Sequence, residues 1–66
     1  MWSIIASLTI HHQDGWTEIK QLPTFLLDEN THGIVSQSHA IRISEILINP
    51  TGAIDSNDIY VSAFKI

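Results

Sequence analysis

Two short stretches of this 66-residue chain hold the side chains whose types and spacing could do chemistry: "HHQD", with His11, His12 and Asp14, and "THGIVSQSHAIR", with His32, Ser36, Ser38, His39 and Arg42. Histidines beside carboxylates suggest a metal ion first. Zinc sites take three or four convergent ligands. Adjacent residues on a strand point to opposite faces, so His11 and His12 cannot aim at one ion. His32 and His39 are seven apart across a bend and supply two ligands, and Asp28 or Glu29 would have to complete the set. With no cysteine in the chain, thiolate and iron–sulfur chemistry is excluded as well, and neither a metal nor any other cofactor is expected.

Catalysis has a weaker signature still. Serines and histidines are plentiful, but the chain carries no nucleophile elbow, no glycine-rich phosphate loop and no framed pair of carboxylates. So small a monomer also lacks the volume for a water-excluding pocket, so a metal-dependent or hydrolytic enzyme would have to build its site between subunits. The remaining chemistry is anion capture. Free backbone N–H groups at a helix start attract phosphate or carboxylate. Here they would be joined by a flexible Gly33, the hydroxyls of Ser36 and Ser38, the imidazoles of His32 and His39, and the guanidinium of Arg42. Trp16 or Tyr60 from a neighbouring copy could stack on a base. The competing reading is purely structural: Ser36 caps the helix, His39 fills the edge of its apolar face, and nothing binds.

The elements that must position these residues follow from the pattern of apolar positions. Trp2, Ile4, Ala6, Leu8 and Ile10 alternate with Ser3, Ile5, Ser7, Thr9 and His11, the period of a half-buried strand. Asp14-Gly15 tolerates positive φ and marks a hairpin turn, after which "WTEIKQL" reads as an antiparallel second strand ended by Pro23. "PTFLLDENTHG" reads as an irregular passage whose Phe25, Leu26 and Leu27 cover the sheet or reach another subunit. From Ser36 the period becomes helical. Ala40, Ile43, Ile46 and Leu47 fall on one face and are expected to pack on the sheet. Ser36 or Ser38 is the N-cap, and Pro50 and Gly52 stop the helix. Ile59 to Lys65 forms the last strand. The expected fold is α+β: one ββαβ domain over residues 1–66, with a three-stranded antiparallel sheet in the order 2-1-3 and one helix on one face.

Composition bounds assembly and partners. A chain this short buries only about 60% of the surface its unfolded form exposes and usually needs a disulfide, a metal, unusually good packing or association to stay folded. Its hydrophobic content is 44% against 15% charged residues, which favours apolar surface reserved for another copy. Ile41 and Ile48, seven apart and away from the main helical stripe, are the expected oligomer contacts, with Phe25 and Leu26 beside them. A net charge of −4, from three Lys+Arg against seven Asp+Glu, argues against a nucleic-acid partner. No apolar run is long enough to span a membrane, and the start "MWSIIASLTI" lacks the flanks of a signal peptide. The chain is expected to be complete and cytoplasmic.

The frame "LPTF" followed by "LD", then "GIVSQSHAIRISEILINPTG", resembles a group of very short proteins carried by bacteriophages and related mobile elements. The likeness runs from Trp16 to Gly52 and assigns no site residue. It implies the cytoplasm of an infected bacterium and a protein that acts by stoichiometric binding. The reading that results is a non-enzymatic homo-oligomer that sequesters a small anionic, nucleotide-like ligand near a subunit interface, a counter-defence role. The alternatives are a module that masks a host protein and an intersubunit metal-binding or hydrolytic enzyme.

Overall fold

A computed structural model of residues 1–66 shows an antiparallel sheet built around one long strand, β1 (Trp2–His11), with a single main helix on one side. On one edge β1 pairs with β2 (Thr17–Gln21) over Ser7 to His11 and with β3 (Phe25–Leu27) over Trp2 to Ile4. On the other edge it pairs with β4 (Ile59–Lys65) from Trp2 to Leu8. The helix α2 (Gln37–Ile48) lies mainly over β4. The fold is therefore the expected small α+β domain with β1 central and the last strand beside it. The sheet has four strands rather than three, because the passage expected to be irregular contains β3 and a short helix, α1 (Glu29–His32).

The hairpin closes as its sequence predicts. The amide of Gly15 donates to the His12 carbonyl at 3.0 Å, that of His12 to the Trp16 carbonyl at 2.9 Å, and Gly15 sits at φ 94°. This three-residue connection needs its last residue at positive φ, which glycine adopts without cost from a Cβ. The rings of His12 and Trp16 stack over it, 3.8 Å between centroids.

Pro23 does more than end β2. Between the pairs Ser7–Gln21 and Ile4–Phe25, β1 contributes Ile5 and Ala6 while the facing chain contributes Leu22, Pro23 and Thr24. One extra residue makes a bulge, and proline fits there because it has no N–H to give the ladder. Leu22 still donates to the Ala6 carbonyl at 3.0 Å. Because side chains alternate with period two, the insertion reverses which parity faces the helix. In β2 the even residues Glu18 and Lys20 lie opposite Ile10 and Leu8, but in β3 the odd residues Phe25 and Leu27 lie opposite Ile4 and Trp2. Leu27 enters the core and Leu26 is turned to the far side of the sheet.

That core is small: Trp2, Ile4, Leu27, Ile34, Ala40 and Ala63, bordered by Phe25, Ile41, Ile43 and Val61. The helix meets it along a line of small residues. Ala40 and Ser44 are fully buried on α2, as are Ala6 and Ala63 on the sheet, and the side-chain Nε2 of Gln37 donates to the Ala63 carbonyl at 2.7 Å. Ser44 satisfies its hydroxyl by donating to the Ala40 carbonyl at 2.7 Å, so a buried polar group needs no other partner. The rotation of the helix differs from the expected one. Ile46 and Leu47 face solvent, Ile41 packs against the core and Ile48 is half-buried. A helix this close to a sheet presents small side chains at the line of contact and places larger ones at its flanks. Of the four expected oligomer contacts, Phe25 and Ile41 thus border the core, and only Leu26 is exposed.

Both chain ends are tied to α1. Glu29 accepts a hydrogen bond from the Met1 ammonium through Oε1 and pairs with Lys65 Nζ through Oε2 at 3.1 Å. Lys65 also lies 5.6 Å from the centre of the Trp2 ring. The hydrogen bond from the terminal ammonium, reinforced by Lys65, holds the Glu29 carboxyl below its ordinary value of 4.5.

Two measurements check this account. Ala40→Ile should destabilise the fold by about 1–3 kcal/mol through overpacking, whereas Ile46→Ala should fall within about 0.5 kcal/mol of wild type; urea melts give both values, and the reverse order would mean the helix is rotated as the sequence pattern suggested. For Glu29, a folded pKa below the unfolded one means stability that is full above the unfolded value and lost as pH falls through the folded value. Glu29→Gln should accordingly lower the melting temperature at neutral pH and converge on wild type once the pH falls below the lowered folded value.

Candidate functional site: the start of helix α2

Gly33 and Ser36 set up this end of the molecule. Gly33 caps α1 at φ 62°, and a Cβ there would meet nothing within 4 Å, so the turn requires glycine for its backbone angle and not for space. The reversal drops Ile34 into the core, with its amide on the Glu29 carbonyl at 2.9 Å. Ser36, extended at φ −157°, then begins α2: its Oγ accepts from the His39 amide at 3.2 Å and its carbonyl accepts from the Ala40 amide at 3.0 Å. The amides of Gln37 and Ser38 have no acceptor within the chain. They are the free donors at the positive end of the helix dipole.

Around them Ser36, Ser38, His39 and Arg42 line an open concavity of about 250 Å³ that contains no hydrophobic side chain. Ser36 Oγ and Ser38 Oγ are 3.4 Å apart. His39 Nδ1 accepts the Val35 amide at 3.3 Å, which fixes the ring and leaves Nε2 free to meet a ligand. Arg42 makes no ion pair, although acidic residues outnumber basic ones. A second concavity of about 190 Å³, lined by Glu45, Ile46, Asn49, Ser56 and Ile59, offers a carboxylate and no cation. Of the two concavities, the one at the start of α2 is where charge and donors for an anion agree.

The other expected residues lie elsewhere. His32 ends α1 and is exposed, and Gly33 acts as a turn; neither lines the concavity. Trp16 sits on His12 at the hairpin tip, beyond the His11–Thr17 pair, whereas α2 begins beside Ala63 and Ile4. Seven strand residues separate those levels, about 23 Å at 3.3 Å each. Only another copy could bring Trp16 to the concavity. The histidines of the first stretch have carboxylate partners: His11 Nε2 to Asp58 Oδ1 at 2.8 Å and His12 Nε2 to Glu18 Oε1 at 3.1 Å. Nowhere do three His, Asp or Glu side chains converge as metal ligands, and no helix is long and apolar enough to cross a membrane.

The free N–H groups expected at the helix start are those of Gln37 and Ser38. Their signal was the cap itself, since placing Ser36 at the N-cap leaves the next two N–H groups without acceptors. Neither a protein-family model, nor a curated protein, nor a solved structure matches this chain.

The cap gives a direct check. Ser36→Ala removes the acceptor for the His39 amide and should cost about 1 kcal/mol, read as a lower urea midpoint at unchanged slope.

Proposed function

We propose that this chain is a non-enzymatic, self-associating binding protein that captures a small phosphate-bearing, nucleotide-like ligand at the start of α2. The observation that carries the reading is an arginine without an acidic partner, set beside two free helix-end amides in a concavity lined by two serines, a histidine and that arginine. Arg42 would supply a planar pair of donors matched to phosphate oxygens. The Gln37 and Ser38 amides, the Ser38 hydroxyl and His39 Nε2 would complete the shell. With Nδ1 accepting the Val35 amide, the neutral His39 ring carries its proton on Nε2 and is set to donate to a ligand oxygen, which favours capture over hydrolysis. The resemblance to short phage-borne proteins supports a setting in the cytoplasm of an infected bacterium, where stoichiometric capture of a nucleotide signal would act as counter-defence.

A second reading, masking of a host protein, is favoured by the broad exposed apolar surface on the side of the sheet away from the helix.

A thermal-shift screen of cyclic and linear nucleotides separates the two. A captured ligand at 100 times its Kd adds about 2.7 kcal/mol of stability, and each kcal/mol moves the melting temperature of so small a domain by about 4–8 °C. Arg42→Ala should abolish the shift without lowering the melting temperature of the free protein, and denaturation should release intact ligand. No shift across the panel, with a host protein that copurifies, would replace capture by masking.

A further inference from the structure

The side of the sheet turned away from α2 is uncovered. Its central column is the odd-numbered face of β1: Ser3, Ile5, Ser7 and Thr9. Paired with this column are Leu26 and Ile19 on one edge, and Phe64 and Tyr60 on the other. These flanking side chains are left 57%, 68%, 54% and 67% exposed, respectively. Single exposed apolar residues are ordinary, but a contiguous set on one flat face marks an interaction surface.

We infer that a second copy of this chain docks on that face, sheet against sheet about a two-fold axis, to give a four-layer helix–sheet–sheet–helix dimer. Three features of the face select a second copy as its occupant. The first is charge. No Asp, Glu, Lys or Arg stands at a strand position facing this way, where the residues are Ser, Thr, Ile, Leu, Gln, Tyr, Phe and, at the rim, His11; the carboxylate that reaches the rim, Asp58, is taken up by His11 at 2.8 Å. Two copies at net charge −4 repel wherever their acidic surfaces meet, and the centre of this face lets them approach without opposing carboxylates. A basic partner would find only Asp58, already bonded to His11 at the rim, and an anionic lipid surface would be repelled by the rest of the molecule.

The second feature is relief. Ser3, Ser7 and Thr9 on β1 form low ground between two ridges of large residues, interrupted by Ile5. Sheets that pack face to face at about 10 Å and about 30° interdigitate such ridges with low ground, and a two-fold axis set to one side of β1 brings one ridge of each copy onto the low ground of the other. The third is size. The molecule measures 44 × 22 × 15 Å, so a broad face offers area of the order of the ~800 Å² per partner of a standard stable interface. Docking would also give the thin core the second layer that a chain of this length usually lacks.

This surface assignment rests on the self-association stated above, and the experiment distinguishes failure of one from failure of the other. Sedimentation equilibrium of the wild-type protein should show a dimer at micromolar concentration. Ile19→Asp and Phe64→Asp should each weaken it by about tenfold or more, while Ile46→Asp, on the outer face of α2, should leave it unchanged. Ser7→Cys, the only thiol in its chain, should be joined to its partner copy by a short bismaleimide cross-linker with the fold intact by circular dichroism, because facing sheets stand too far apart for a direct disulfide, and Thr51→Cys, in the loop after α2, should not. A monomer across the concentration range would overturn both self-association and the surface. A dimer that resists both face variants and yields to Ile46→Asp would overturn the surface alone. The Arg42-dependent thermal shift is scored separately and reports only on ligand capture.

Discussion

Strand β1 is hydrogen-bonded on both edges, and everything else in the molecule is referred to it. Its even-numbered side chains supply the floor of the core and its odd-numbered ones the central column of the far side. Its two edges fix where β2, β3 and β4 lie. Ladder pairing is what makes a strand of ten residues a rigid reference in so short a chain, because each pairing fixes both register and the face on which a side chain emerges. Strand β4 then carries α2, and the start of α2 carries the polar concavity. The position of Arg42 is thus set through three successive contacts that all begin at β1.

Thinness is the second governing fact. Six residues form the buried apolar cluster, and close approach of helix to sheet is achieved with alanine and serine instead of large interdigitating side chains. Such packing yields little buried area for each residue ordered, which leaves the fold dependent on capping, end-tying and edge chemistry. Those devices are all present: Ser36 at the start of α2, Glu29 joining Met1 to Lys65, and the Asn49 side chain bonded to both the amide and the carbonyl of Ile54 across the loop after α2. The polar concavity and the uncovered sheet face lie on opposite sides of the molecule, so ligand capture and self-association need not compete for the same residues.

Much of this was legible in the amino-acid sequence because it is local. Alternation along Trp2 to His11 requires a two-faced strand, Asp14-Gly15 permits the positive φ of the hairpin, and Ser36 offers the hydroxyl that a helix start needs. Pro50 and Gly52 bar the helix from continuing, and Ile59 to Lys65 emerges as the closing strand. The candidate residues Ser36, Ser38, His39 and Arg42 lie within two helical turns of one another, so the sequence also brought them together.

The tertiary structure decided what depends on a partner distant in the chain. Three residues, Phe25 to Leu27, are too few to show a period, and they become a strand only because the end of β1 offers an unpaired edge; the bulge at Pro23 then determines that Leu27 faces in and Leu26 out. The rotation of α2 was equally invisible. Hydrophobic periodicity ranks faces by how apolar they are and so pointed to Ile46 and Leu47, but contact with the sheet is governed by how closely two backbones can approach, and Ala40 and Ser44 permit the closer approach. For the same reason Trp16, only sixteen residues before His32 in the chain, lies at the far end of the sheet, because strand direction and not sequence separation sets distance.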